Sequence, residues 1–291
     1  MAYKNKFERL FSLRNVVVAF IIVDFAVFLI YPIIRAFAGS MHNWNPMIDT
    51  WKYVGWDNFK SVLTDKLFWT SISNTLIFTV AATFFRLFIG LALAMALYSR
   101  MIKHKTIWQA IFYLPTITPL VAISFVWMWL YDPQFGLVDK LTGLDINWLK
   151  DSKYALIGII LMTIWKDFGY ATVMYLGGLM GLPEEDLEAA EMDGASTWQR
   201  FVYIILPLLK PTTIFILITS LINYLQTYVQ IMIMTQGGPG TSTYTISYLI
   251  YDKAFVQYNF GEASAMSIIL FVIIAILTII MFKVTGEAKD L

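Results

Sequence analysis

Residues 187–207 read LEAAEMDGASTWQRFVYIILP, a polar and acidic stretch between two long apolar segments. The wider loop 181–210 carries six acidic and two basic residues. Apolar segments of such length are typical of membrane-spanning helices, and a membrane protein keeps an acidic loop of this kind where a partner in water binds it. The stretch therefore indicates an integral membrane protein with a docking element outside the bilayer.

The composition supports the membrane class. Hydrophobic residues make up 58% of the 291 residues, whereas soluble domains have about 45–50%. The net charge of +1 and the lack of a basic stripe argue against nucleic acid as a partner. The chain has no cysteine, which excludes disulfides and thiolate chemistry. His42 and His104 lie in different polar loops, so no metal site is predicted.

Six segments are long and apolar enough to cross a bilayer as helices, which takes about 20 residues each. Backbone groups cannot stay unpaired in lipid, and the segments are too long and too uniformly apolar for barrel strands. We therefore predict an all-α integral membrane protein with six transmembrane helices. The segments are 16–34, 72–97, 108–131, 154–179, 212–234 and 263–282.

The first of these segments has some features of a signal peptide. Basic residues precede it, and residues 36–38 form an A-x-A-like site. Its apolar run of 19 residues exceeds the ~7–15 of a signal-peptide core, and Asp24 and Arg35 argue against cleavage. We predict a retained span, preceded by an amphipathic segment at 4–14 on the cytoplasmic surface.

Six spans place both chain termini on the same side of the membrane. Lys and Arg are more numerous in the loops on that side than on the other, and the positive-inside rule makes it cytoplasmic. The acidic loop 181–210, between spans four and five, is then cytoplasmic as well.

The acidic loop is predicted to fold as two short helices around a glycine turn. Pro183 suits the first position of a helix, and the acids that follow it complement the helix dipole. Gly194 can adopt the left-handed conformation that ends a helix, and Ser196 or Thr197 can cap the next helix.

The spacing within the loop is specific. Glu188-Ala189-Ala190 is followed after three residues by Gly194, after nine more by Ile204, and after one more by Leu206-Pro207. This pattern resembles the EAA loop of permease subunits in binding-protein-dependent ABC importers, where the loop is the socket for the ATP-hydrolysing subunit. The resemblance implies ATPase-coupling roles for Glu188, Ala189, Ala190, Asp193, Gly194, Leu206 and Pro207.

Shorter motifs extend the resemblance from about Asn74 to the C-terminus and favour the carbohydrate branch of that family. None of these motifs is specific for the family alone, but their order around the acidic loop is specific for it. The motifs are Asn74-Thr75-Leu76, Leu114-Pro115 with Pro119, residues 129–133 (WLYDP) with Phe135-Gly136, Trp165 and Tyr170 before Gly181-Leu182-Pro183, and residues 235–239 (TQGGP) with Ser242-Thr243.

The resemblance also implies the partners and location of the chain. The sequence lacks G-x-x-x-x-G-K-[ST], so we expect no cofactor here and no enzymatic activity, with ATP and Mg²⁺ on a separate ATPase. The implied partners are a second homologous permease subunit, two ATPase subunits, an external solute-binding protein, a sugar substrate and membrane lipid. The implied location is the bacterial cytoplasmic membrane, as a multi-pass protein with both termini cytoplasmic.

The chain is expected to divide near residue 70. Residues 1–70 would hold the amphipathic segment, the first span and an outer loop. Residues 71–291 would form the permease core, with the coupling loop at 181–210.

Polar side chains within spans four and five indicate a solute site, because such groups are costly in lipid and face the bundle interior. Aromatic faces can stack on the CH faces of a sugar while polar neighbours bind its hydroxyls. By resemblance, the substrate-contacting residues are Thr163, Trp165, Lys166, Asp167, Tyr170, Ser220, Tyr224 and Thr227, with Thr116 in span three.

Plainer interpretations of these residues stay open. Ser, Thr, Asn and Gln in spans can simply hold helices together. Lys166 and Asp167 are adjacent, so each is expected to need its own partner. Arg86 and Asp24 match no family role and are interpreted as structural pairing or snorkelling. Gly90, with Ala94 one turn later, indicates close helix packing.

Two rival classes fit the sequence less well. A stand-alone secondary transporter or channel would not need the acidic loop and should carry an inverted repeat, which the sequence lacks. A membrane-embedded enzyme would need a histidine cluster or a carboxylate dyad within a span, and no span contains one.

Overall fold

The computed structural model describes residues 13–99, 102–144 and 146–285, and within them the chain is mostly helical. Most of the predicted amphipathic segment, residues 4–12, lies outside the described residues. The helices are α1 (Leu13–Gly39), α2 (Asp57–Thr64), α3 (Lys66–Tyr98), α4 (Lys105–Ile117), α5 (Leu120–Leu130), α6 (Leu137–Thr142), α7 (Ala155–Met180), α8 (Glu184–Met192), α9 (Thr197–Leu208), α10 (Lys210–Leu225), α11 (Val229–Met234), α12 (Ile246–Tyr251, continued by a π-helical turn at Asp252–Val256) and α13 (Phe260–Thr285). The strands are β1 (His42–Asn45) and β2 (Thr50–Tyr53).

Four helices are long and apolar enough to cross a membrane: α1, α3, α7 and the Phe260–Lys283 part of α13. Two further pairs pass the same test together but are bent, α4 with α5 by 96° and α9 with α10 by 62°. The described part of the chain therefore holds four candidate spans, or six when each bent pair is taken as one. This agrees with the prediction of a mostly helical membrane protein.

The third predicted span, 108–131, is two helices and not one. α4 ends at Ile117, Thr118 is extended (φ −74°, ψ 138°), and α5 begins after Pro119. Proline lacks a backbone N–H and disfavours helical conformation in the residue before it. The chain therefore turns sharply at this point.

The fifth predicted span, 212–234, is also interrupted. α10 ends at Leu225, residues 226–228 are not helical, and α11 begins at Val229. Residues 226–228 are Gln, Thr and Tyr, so neither proline nor glycine marks the break, and the apolar pattern alone cannot reveal it.

Contacts divide the chain into two units, and the first contains a feature that the all-α prediction missed. This unit takes in the described residues up to Asp65 together with Ile250–Phe271. Its β1 and β2 pair as an antiparallel hairpin with Trp44 opposite Trp51. The Arg35 guanidinium lies 4.3 Å from the Trp51 ring centroid, a cation–π contact that ties the end of α1 to the hairpin.

The second unit, Lys66–Leu249 with the described residues from Val272 onwards, is built around α7. A Cβ on Gly169 of α7 would lie 1.9 Å from the backbone oxygen of Phe112 in α4. A Cβ on Gly90 of α3 would lie 2.5 Å from the Cβ of Ala171 in α7. The predicted close packing at Gly90 is confirmed, and α7 approaches each neighbour closely at a glycine, its own Gly169 against α4 and Gly90 of α3.

The Asn74-Thr75 motif holds the loop that follows α11. The Asn74 side chain donates to the carbonyl oxygen of Tyr244 at 3.0 Å. The Thr75 hydroxyl accepts the backbone N–H of Ile246 at 2.8 Å. The Asn74-Thr75 motif therefore has a structural role, because it binds the segment that directly follows the Ser242-Thr243 motif.

The 129–136 motif forms the turn that ends α5. Backbone N–H groups of Phe135 and Gln134 donate to the Asp132 carboxylate at 3.0 and 2.9 Å, and these bonds lower the pKa of that carboxyl from its ordinary value. A Cβ on Gly136 would lie 2.4 Å from the backbone oxygens of Asp132 and Leu130, so the turn requires glycine.

Replacing Gly169 by alanine is expected to destabilise the fold, because the new methyl group would collide with the α4 backbone. Gly177→Ala on the same helix is the matched control, since a Cβ there meets nothing within 4 Å. Alanine should be neutral or favourable at that site, since it is better than glycine in helices by about 1 kcal/mol. Thermal unfolding in detergent measures both variants, and equal melting temperatures would contradict the packing argument.

Candidate solute site and coupling segment

A polar cavity of about 220 Å³ lies between α7, the end of α10 and the break before α11. Most of its lining side chains carry hydrogen-bonding groups, which come from α7, from the end of α10 and from residues 226–230. The residues that line it are Leu120, Thr163, Lys166, Asp167, Asn223, Tyr224, Gln226, Thr227, Tyr228, Val229 and Gln230.

Side-chain hydrogen bonds hold the break at 226–228 in place. The Thr245 hydroxyl donates to the backbone oxygen of Thr227 at 2.7 Å, and the Gln230 amide donates to the Thr227 hydroxyl. Backbone groups freed within a membrane need such partners unless they line a cavity. The break is therefore an ordered element that turns polar groups toward the cavity.

Lys166 and Asp167 pair with each other, which was not expected of adjacent residues, although each also has a separate partner. The Lys166 ammonium lies 3.5 Å from the Asp167 carboxylate and donates to the backbone oxygen of Thr116 at 3.1 Å. The Thr116 hydroxyl donates in return to the backbone oxygen of Lys166 at 2.9 Å. Adjacent residues point to different faces of a helix, but the long lysine side chain reaches beyond its own face.

A second contact joins Asp167 to α10. The Tyr224 hydroxyl donates to the Asp167 carboxylate at 3.0 Å. Behind Tyr224, the buried Arg86 of α3 donates to the Ser220 hydroxyl at 3.0 Å and stacks on the Tyr170 ring at 4.9 Å. Structural pairing of Arg86 was predicted, but its position beside the candidate site was not.

The structure places the nine sequence-predicted solute residues in three groups. Five of them line the polar cavity, and three lie behind it, bonded to or stacked on Arg86 and Lys166. Trp165 lies apart, 41% exposed, in an apolar groove where its ring is 5.5 Å from that of Trp127. The cavity group is Thr163, Lys166, Asp167, Tyr224 and Thr227, and the group behind it is Thr116, Tyr170 and Ser220.

The cavity also contains residues outside the predicted set: Asn223, Gln226, Tyr228 and Gln230. The three amides Asn223, Gln226 and Gln230 share one helix face at i, i+3, i+7 spacing, so the sequence already shows them as a polar stripe. The interruption at 226–228 lies within this wall of the cavity, and the sequence carries no marker for it.

The acidic loop folds as predicted, with one shift of register. α8 is followed by Gly194 at φ +78°, and Ser196 caps α9 with a reciprocal bond to Gln199. Pro183 is the residue before α8 and not its first helical residue. The Arg200 guanidinium pairs with Glu191 at 2.7 Å across the glycine turn, so the two short helices are tied together.

The predicted coupling residues lie on an accessible surface. Glu188, Ala189, Asp193 and Gly194 are exposed and Ala190 is partly exposed. Glu188 also lines an open groove of about 790 Å³ beside Tyr98, Ser99, Lys105, Leu187, Glu191 and Arg200. Leu206 and Pro207 lie at the end of α9, just before its 62° bend into α10.

Comparison with known proteins identifies the family. Residues 86–285 match the family of binding-protein-dependent transport system inner membrane components. The trehalose/maltose transport system permease protein MalF of Thermococcus litoralis is 34% identical over 91% of this chain and 90% of that protein. The sn-glycerol-3-phosphate transport system permease protein UgpA of Pectobacterium atrosepticum is 32% identical over 88% of each.

The fold has a close counterpart among solved structures. A chain of a bacterial ABC transporter involved in the import of the acidic polysaccharide alginate superposes with a TM-score of 0.83, at 24% identity and over 96% of both chains. At that identity the likeness concerns the fold alone.

The chain belongs to the family of binding-protein-dependent transport system inner membrane components. It is a membrane-embedded permease subunit of an ABC importer and not an enzyme. The resemblance carried by the EAA spacing is thereby confirmed.

Asn223→Ala should weaken solute uptake more than Trp165→Ala, because Asn223 lines the polar cavity and Trp165 does not. Loss of one hydrogen bond to a bound solute corresponds to a rise in KM of about fivefold. Uptake kinetics in cells carrying each variant measure this. A larger rise for Trp165→Ala would place the solute on the apolar groove instead.

Proposed function

We propose that this chain is one of two homologous permease subunits of an ATP-driven importer for a sugar or oligosaccharide. Relatives named for trehalose/maltose, lactose, multiple sugars and glycerol phosphate support this substrate range. A second permease, two ATPase subunits and an external solute-binding protein complete the proposed complex. ATP and Mg²⁺ act on the ATPase subunits.

The proposed topology has six spans. Each bent pair counts as one span, and both termini lie on the cytoplasmic side, as the distribution of Lys and Arg favours. α8 and the start of α9 then face the cytoplasm as the coupling segment, within a permease core that starts near residue 71.

The polar cavity is the observation that carries the proposal. Asp167, Asn223 and Gln226 supply carboxylate and amide groups that suit hydroxyl-rich molecules. Together with Lys166, they lie beside an interrupted helix, and interrupted helices commonly form the binding sites of transporters. A neutral sugar fits this set best, since the Lys166 charge is already paired with Asp167.

Transport follows from rigid coupling. When ATP closes the ATPase dimer, α8 moves with the surface on which it is docked. α8 begins four residues after α7 ends at Met180, so displacement of α8 reaches the helix that carries Lys166 and Asp167. Alternate exposure of the cavity to the two sides of the membrane moves the solute inward.

Uptake of radiolabelled maltose, trehalose, lactose and glycerol 3-phosphate by cells expressing the whole importer tests the proposal. We expect ATP-dependent uptake of at least one sugar that requires this chain. Uptake by the purified chain alone without ATP would overturn it.

Gly194→Ala should reduce transport at least about tenfold while leaving the folded chain in the membrane. Alanine in the left-handed conformation costs about 1–2 kcal/mol, which would reshape the turn that orients α8.

Glu188→Gln should weaken copurification of the ATPase subunit by removing a charge from the docking surface.

Gly143→Ala is the matched control for Gly194→Ala, because Gly143 also has a positive φ of 69° and open space around its Cβ position. Gly143 lies outside the coupling segment. Normal transport in Gly143→Ala together with loss in Gly194→Ala supports coupling through α8. Equal transport in the two variants would contradict it.

A further inference from the structure

Arg86 is a charged side chain buried in the interior of the candidate span α3, with only 5% of its surface exposed. A charge at such a position is costly and marks a functional or structural constraint. The contacts of Arg86 therefore indicate which role it has.

The contacts of Arg86 come from two other helices. The guanidinium donates to the Ser220 hydroxyl of α10 at 3.0 Å. It lies 4.9 Å from the Tyr170 ring centroid of α7 and 5.8 Å from that of Tyr224 of α10. A desolvated guanidinium over aromatic faces is a favourable contact, so Arg86 supports both rings from one side.

Tyr224 connects Arg86 to the polar cavity. Its ring is held from behind by Arg86, and its hydroxyl donates to the Asp167 carboxylate at 3.0 Å. The other oxygen of Asp167 is 3.5 Å from the Lys166 ammonium. Among the described residues that line the cavity, Asp167 is the only carboxylate, so the orientation of the strongest acceptor there depends on Tyr224.

We propose that Arg86 is a positioning residue of the solute site that acts through Tyr224. Stacking by Arg86 keeps the Tyr224 hydroxyl on Asp167 and so holds the carboxylate in one orientation toward the solute. A binding group held in place in advance loses less freedom on binding than one that must be ordered by the ligand. The inference rests on the proposed function of the polar cavity.

The test is the concentration dependence of uptake by the whole importer, with the sugar from the maltose, trehalose and lactose panel that the native complex transports best. Arg86→Met should raise KM about tenfold, in line with the loss of an oriented charged hydrogen bond. The maximal rate should stay within about twofold, because ATP coupling through α8 is untouched. Arg86→Lys keeps the charge but not the flat stacking surface, so it should give an intermediate KM.

A double-mutant cycle separates positioning from simple packing. If Arg86 acts through the Tyr224 hydroxyl, Arg86→Met should add little to the KM of a Tyr224→Phe importer. Full additivity of the two effects would overturn the proposal.

Thr79→Val is the matched control, since it removes a buried hydroxyl of α3 that has no hydrogen-bond partner among the described residues. Its KM should equal that of the native importer. Arg86→Met with an unchanged KM, or with a lowered maximal rate alone, would overturn the proposal.

If the importer with Arg86→Met does not assemble, the KM of the Arg86→Lys importer is the test. An unchanged KM in that variant would again overturn the proposal. If the native importer shows no ATP-dependent sugar uptake, the proposed function is wrong, and with it the role of Arg86, which rests on that function. If the native importer takes up sugar but KM is unchanged in every Arg86 variant, only the positioning role is wrong.

Discussion

The contact of α7 with the backbones of its neighbours is the constraint on which the second unit depends. Gly169 meets the carbonyl of Phe112, and Gly90 meets Ala171, at distances that leave no room for another methyl group. Such contacts fix the helices along their axes, since a slip of one residue moves a helix by about 1.5 Å. That slip would be enough to break the bonds that join Lys166 to its neighbours.

Because the packing is fixed, polar groups from three helices come within bonding distance of one another around Asp167. Asp167 receives Lys166 on one side and Tyr224 on the other, and Arg86 supports Tyr224 from behind. Buried ionic groups rarely add net stability, but paired groups can favour one arrangement of the helices over others. α3, α7 and α10 therefore share one electrostatic network beside the cavity.

The apolar, mostly helical segments and the acidic helical turn follow directly from the sequence, because apolar length, capping residues and glycine act locally. The breaks within the third and fifth predicted spans were not predicted. Ser196 and Gly194 have the same role in the structure as in the pattern. Features that depend on distant contacts could not be predicted. The break at 226–228 is stabilised by Thr245 from another segment, and the burial of Arg86 follows from rings on two other helices. The hairpin β1–β2 was missed because four-residue strands carry too little pattern.

The pairing of Lys166 with Asp167 within a single helix also bears on how the chain enters the bilayer during biosynthesis. Each charge alone costs about 2.5–3.5 kcal/mol at the centre of a helix during translocon insertion. Neighbouring opposite charges on the same segment can neutralise each other before any later span is present. The fourth segment can thus leave the translocon without waiting for a counter-ion from a later helix or from a companion subunit.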